Sequence, residues 1–300
     1  MEKRRLGKTD MDVSVLGFGG SEIGYEETSV ETVTDLLNSA LDAGLNVIDT
    51  AECYRGSEEA IGCAISGRRN DFYLFTKCGH PQGMERRANW SRDSILQSIE
   101  RSLQRLQTDM VDIVQLHSCS EAELRKGEAI EALQTARKKG YLRYIGYVGD
   151  SHSARFAVEC GSFDTLQTSV NIADQESIDL LLPLAREKQM GIIAKRPLAN
   201  VAWGTGHRPM NSYHHKYWER LRKLNYDFLR QYDIETTISI ALRFCLSVPG
   251  VHTAIVGTSK PERWQENAAL LEAGPLSEEQ FREIRERWEE VAPRIWIGQL

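Results

Sequence analysis

The chain lacks the features that would carry it across a membrane or onto nucleic acid. No apolar run approaches the roughly 20 residues a membrane helix needs. The opening MEKRRLGKTD has no apolar core of the kind a signal peptide carries. A cytoplasmic location is the default expectation, with no membrane partner. Excess positive charge is also missing: 37 Lys and Arg stand against 43 Asp and Glu, a net charge of −6. That argues against a general nucleic-acid role, which needs a basic face. It leaves room for one local basic pocket around a phosphorylated cofactor. The six cysteines, Cys53, Cys63, Cys78, Cys119, Cys160 and Cys245, form no CxxC pair and no Cys/His cluster with zinc spacing. No metal is expected, and the cysteines read as free thiols in a reducing compartment. Internal repeats, low-complexity stretches and a visible domain boundary are absent too, so residues 1–300 read as a single domain.

What the sequence does have is alternation. Short apolar runs that read as strands (45–48, 72–75, 111–116, 144–148, 165–166, 192–194 and 253–256) alternate with segments of helical periodicity. Thr28 and Glu31 have the spacing of a capping box before one such helix. A hairpin from residues 4–6 and 13–18 precedes the first unit. This order implies parallel strands joined by right-handed crossovers. With a first strand at 15–18, about eight units are present, which predicts an α/β fold: a (β/α)8 TIM barrel with an N-terminal hairpin. The rival is an open doubly wound sheet. It ordinarily shows GxGxxG after its first strand, and here GFGG is only a partial match. Residues 197–213 read as a long loop and 213–230 as an extra helix after the seventh strand, the kind of insertion that forms a lid.

One structural address recurs. Asp49, Lys77, His117, Gly149, Gln167, Lys195 and Gly257 each close a predicted strand, and a barrel gathers such ends at its active face. Tyr54 sits in the loop after Asp49. A phenol has an ordinary pKa of about 10, and a nearby ammonium lowers it. Lys77 is placed to act on Tyr54, Asp49 to hold Lys77, and His117 to hydrogen-bond a carbonyl. Each residue also has a plain structural reading, as an ion pair, a packed ring or a satisfied imidazole. Their joint occurrence on successive strand ends favours chemistry.

DTAECY, the Lys of FTK and the His of VQLH resemble the catalytic tetrad of the aldo-keto reductases, and the resemblance runs from the hairpin to IVGTSKPERWQEN. It implies that Tyr54 is the general acid, that Lys77 and Asp49 tune it, and that His117 orients the substrate carbonyl. It further implies hydride transfer from NADPH to an aldehyde or ketone, giving an alcohol and NADP+.

Ser259 and Glu262 have capping-box spacing around Pro261, and a helix N-terminus offers N–H groups to an anion. Arg263 adds a planar cation suited to phosphate. In similar reductases this segment, Gly257, Thr258 and Ser259 included, grips the adenosine 2′-phosphate, with Glu266 and Asn267 near the adenine. Gln167 matches the glutamine that meets the nicotinamide carboxamide. Gly20 and Ser21 match the loop beside the nicotinamide ribose. Lys195, Arg196, Pro197, Leu198 and Ala199 match the segment over the nicotinamide and pyrophosphate. The chain departs from the pattern at Lys195, where many members have a stacking tyrosine. It departs again at Val148 and Gly149, in place of Ser-Asn, and at Gly257, where a basic residue is common.

Tyr25, Trp90 and Cys119 are expected at the substrate rim, with the 80–90 loop and the 201–213 loop. His80, Arg86 and Arg87 point to tolerance of a polar or anionic carbonyl compound. Two other functions compete. A nicotinamide-binding regulatory or redox-sensor subunit would keep the site and turn over little. A Schiff-base enzyme using Lys77 would need no nicotinamide.

Overall fold

The computed structural model describes residues 1–81 and 88–299. Ten strands are present among them: β1 (Lys3–Arg5), β2 (Asp12–Ser14), β3 (Leu16–Gly19), β4 (Val47–Asp49), β5 (Tyr73–Cys78), β6 (Val111–His117), β7 (Leu142–Val148), β8 (Thr165–Ser169), β9 (Gly191–Lys195) and β10 (Thr253–Gly257). β1 and β2 form the antiparallel hairpin, and β3 to β10 close into a parallel eight-stranded barrel in sequence order, β10 pairing back onto β3. The expected fold is therefore the observed one.

Strand parity decides what lies inside. Alternate residues of a strand face opposite sides. The inward set begins with Val47, Phe75, Ile113, Ile193 and Ile255, which form an apolar cluster with Leu6, Met11 and Val13 of the hairpin. The hairpin thus plugs one end of the barrel. Burying each such side chain contributes roughly 1.5–3 kcal/mol. Two residues further along the same strands, parity brings Asp49, Lys77, Gln115, Lys195 and Gly257 to the other end. An apolar floor and a polar rim follow from one alternation. The hairpin turn needs Gly7: its φ is +54°, and a Cβ there would lie 2.4 Å from the backbone nitrogen of Gly191.

A larger apolar shell separates the barrel from its helices. The helix expected after the capping box runs Val30–Asp42, but Ser29 caps it by accepting from the amide of Thr32, so the Thr28–Glu31 box does not form. The segment after β9 also differs from expectation. Its helix is split into His215–Leu224 and Phe228–Gln231, because Asn225 turns left-handed and ends the first part. Upstream, Ala199, Asn200 and Val201 all have φ between 45° and 55°. A β-branched residue in that region is strained, and such strain gathers at functional loops. No helix of the described residues is long and apolar enough to cross a membrane.

Candidate active site

The polar rim is built around one buried ion pair. Lys77 Nζ lies 2.5 Å from Asp49 Oδ2 and 2.8 Å from the carbonyl of Thr50. The second Asp49 oxygen accepts from Gln115 Nε2 at 3.1 Å. The two charged side chains are 2% and 4% exposed, so neither can fall back on water. A buried pair of this kind gives weak net stability, yet losing one partner is costly. Its clearest consequence is position: the ammonium is fixed.

Tyr54 stands over that ammonium. Ala51 and Ser57 hold its backbone in a tight turn, with Tyr54 N bonded to Ala51 O and Ser57 N to Tyr54 O. Glu52, in the same turn, is bound by Arg101 Nε at 2.9 Å and Nη2 at 2.6 Å and by Ser98. The loop is therefore anchored from the helix Arg92–Arg105. The Lys77 nitrogen sits 4.8 Å from the centre of the Tyr54 ring, a cation–π distance. His117 meets the same ring edge-on at 6.0 Å, and Tyr25 approaches it at 6.0 Å from the rim.

One electrostatic expectation is overturned. Lys77 does not pull the Tyr54 phenol down. Burial pushes it well above its ordinary value, and the Asp49 carboxylate pushes it further. The reason is geometric. The ammonium spends its hydrogen bonds on Asp49 and Thr50 and lies over the ring face. The phenol is thus held protonated. His117 is shifted the other way: burial, then the positive charge of Lys77, keeps its imidazole neutral. Its Nδ1 lies 3.5 Å from the sulfur of Cys53.

The residues expected to meet a cofactor lie on or just after neighbouring strands, β10 pairing with both β3 and β9. Gly20 donates its amide to Asp49 O at 2.8 Å. Gln167 is buried in β8. Lys195 does not reach outward. It pairs with Asp150 at 2.8 Å, while Thr168 and Ser169 occupy the same carboxylate. Burial lowers the Lys195 ammonium despite that partner. Arg196, with φ of 54°, bonds the Tyr213 hydroxyl at 2.6 Å and the carbonyl of Gln299. Pro197 is buried and Leu198 half-buried behind it.

The segment expected at the adenosine brings one correction. Ser259 does not cap the helix Pro261–Ala269, which has no side-chain cap; its hydroxyl bonds Glu26 at 2.5 Å instead. Thr258 Oγ1 accepts from the amide of Lys260 at 3.1 Å. Arg263, about half exposed, pairs with Glu266 at 3.1 Å, and Asn267 is buried. Glu22, which sequence reasoning missed, lies against Gly257: a Cβ at 257 would sit 1.8 Å from its carboxyl oxygen. That contact explains why no larger side chain stands there. Ser21 Oγ donates to Glu22 at 2.6 Å, and burial raises the carboxyl, which favours its neutral form. Only barrel closure, bringing the ends of β3 and β10 together, could reveal this pair.

Around the rim, Tyr25 is exposed and Trp90 is half-buried, its ring 5.4 Å from that of His80. Cys119 is not at the rim. It is fully buried, with its thiol pushed up to about 12 by burial, because the strand-end turn tucks it under Tyr147, whose hydroxyl donates to the Cys119 carbonyl. Arg86 and Arg87 lie outside the described residues. Among the described residues no cluster of His, Cys, Asp and Glu could hold a metal. A cavity of about 990 Å³ opens elsewhere, beside the hairpin, lined in part by Met1, Arg4, Leu246 and Leu271. None of the residues above faces it.

Comparison with known proteins places this geometry. Residues 15–289 match the model of the Aldo/keto reductase family. The chain is 29% identical over 301 residues to the oxidoreductase YqkF of Bacillus subtilis, covering 95% of this chain and 96% of that one. It is also 29% identical to the NADH-specific methylglyoxal reductase of Escherichia coli, with coverages of 90% and 94%. Among solved structures it superimposes on the holo form of the aldo-keto reductase AKR11C1 from Bacillus halodurans with a TM-score of 0.81, at 28% identity and 96% coverage of both chains.

Proposed function

Because this chain belongs to the aldo/keto reductase family, matched over residues 15–289, we propose that it reduces an aldehyde or ketone to an alcohol, with NADPH as reductant and Tyr54 as proton donor. The observation that carries the reading is the arrangement around Tyr54: a protonated phenol over a fixed ammonium, beside a neutral imidazole at the same mouth.

The residues fit a nicotinamide cofactor. The Gln167 side chain is buried in β8, and Gly20, Gly257 and the 195–199 segment close or follow β3, β10 and β9, which are neighbours in the barrel. When bound, the reduced nicotinamide supplies the hydride. The protein's own groups do the rest. His117 donates a hydrogen bond to the carbonyl oxygen and orients it. Tyr54 passes its proton to that oxygen as it becomes alkoxide-like, the work of a positioned general acid. Lys77, fixed by Asp49, places positive charge beside the developing negative charge, where a low-dielectric site makes it most effective. Arg263 would leave Glu266 and hold the 2′-phosphate with the 257–259 segment, while Asn267 would lie near the adenine.

Reduction of an aldehyde finds support in the name of the Escherichia coli relative, which is also called NADH-specific. Glu22 and Glu26 add negative charge near the expected phosphate seat and oppose Arg263. We place NADPH first because the exposed Arg263 can exchange its Glu266 partner for a phosphate. The test is absorbance at the reduced-nicotinamide band with NADPH and NADH against a panel of aldehydes and ketones. Consumption with NADPH and an aldehyde is expected. Cofactor binding without consumption across the panel would favour a sensor role and reject the reductase reading.

A further inference from the structure

The contact between Cys53 and His117 has a chemical consequence. A neutral imidazole carries one proton, on either nitrogen, and the partner of one nitrogen decides which. His117 is held neutral by burial and by the charge of Lys77. Only one of its nitrogens has a recorded partner among the described residues: Nδ1, 3.5 Å from the Cys53 sulfur. The rings of Tyr54 and His80 meet it edge-on at 6.0 and 5.5 Å, neither with a hydrogen bond to Nε2. Cys53 is half-buried, and burial raises its thiol to about 11, so the sulfur keeps its proton near neutral pH. A protonated sulfur beside a neutral imidazole nitrogen is the donor of the pair, since a thiol sulfur accepts only weakly.

We propose that Cys53 is a positioning residue: its S–H donates to Nδ1 of His117 and fixes the ring in the tautomer whose proton is on Nε2. That proton is the one the reductase reading requires, because only an N–H at the mouth can donate to a carbonyl oxygen. The inference rests on that reading for its use, but not for its geometry. Without the thiol, part of the population would carry the proton on Nδ1 and present a bare lone pair to the carbonyl, which repels it. The rival explanation is packing, since free cysteine commonly acts as a small hydrophobe.

The experiment compares wild type, Cys53→Ala, Cys53→Ser and Cys53→Val by 15N NMR of histidine-labelled protein and by steady-state turnover with NADPH. In wild type, Nδ1 of His117 is expected to show a pyridine-like shift and Nε2 a pyrrole-like one. Cys53→Ala should move both toward averaged values and lower kcat about threefold to tenfold, with KM for the cofactor unchanged. Cys53→Ser, whose hydroxyl can still donate, should recover the pure tautomer and most of kcat. An unchanged tautomer in Cys53→Ala overturns the proposal, as does a wild type with the proton on Nδ1. Failure of serine, alongside recovery by Cys53→Val, would identify packing and also overturn it. A tautomer shift with turnover untouched upholds the thiol's hold on the ring and instead removes His117 from the reaction.

Discussion

Replacing Lys77 with Met separates what the buried pair does for the fold from what it does for chemistry. In wild type the ammonium touches Asp49 Oδ2 and Thr50 O, and both charged groups are almost sealed from water. Lys77→Met leaves the Asp49 carboxylate with Gln115 Nε2 as its recorded side-chain partner. Stranding one member of a buried pair costs about 3–5 kcal/mol. For a chain of this size that lowers the melting temperature by on the order of 10 °C. Adding Asp49→Asn removes the stranded charge and keeps an acceptor for Gln115. The double variant should therefore recover most of the stability, because neutral groups of similar volume often replace a buried pair at little cost. It should not recover turnover, because no cation remains under Tyr54. The assays are thermal melts and NADPH-linked reduction on all three variants. A loss below about 1 kcal/mol in Lys77→Met would show that the pair is not desolvated as described. Wild-type turnover in the double variant would show that the pair is structural and the catalytic role of Lys77 wrong.

Three further outcomes are expected. Tyr54 is held protonated, so reduction should vary little between pH 5 and 8, while alcohol oxidation, which needs the phenolate, should rise about tenfold per pH unit toward alkaline pH; pH–rate profiles in both directions check this. Arg263→Ala should weaken NADPH binding about tenfold and leave NADH little changed, by fluorescence titration; an equal loss for both would remove the 2′-phosphate role. Asp174 is a buried carboxyl raised to about 7 by burial, against the opposing pull of Arg220. The folded state then binds the proton more tightly than the unfolded one between about pH 4 and 7, so this residue costs stability as pH rises through that window. Asp174→Asn should accordingly gain on wild type as pH rises from 5 to 8, by about 3 kcal/mol at most, in denaturant titrations.

The barrel was legible because its strands are apolar runs with a fixed period. Parity then carries Val47 to Asp49 and Phe75 to Lys77 without any knowledge of contacts. The rim was legible for the same reason. What the sequence hid is whatever closure creates. Ser259 and Glu262 have the right spacing for a cap, but Glu26, 233 residues away, takes the serine hydroxyl. Glu22 meets Gly257 only because β10 returns to β3. Cys119 neighbours a rim residue in sequence and is buried all the same. The sign of the Tyr54 shift was likewise beyond reach: proximity of an ammonium is readable from strand order, but whether it faces the oxygen or the ring is not.

The most direct test of the whole account is Tyr54→Phe, measured for NADPH binding and for turnover on the same preparation. The account predicts unchanged cofactor affinity and turnover reduced by about 100-fold or more, as for loss of a positioned proton donor. Turnover equal to wild type, with the cofactor bound as before, would contradict it.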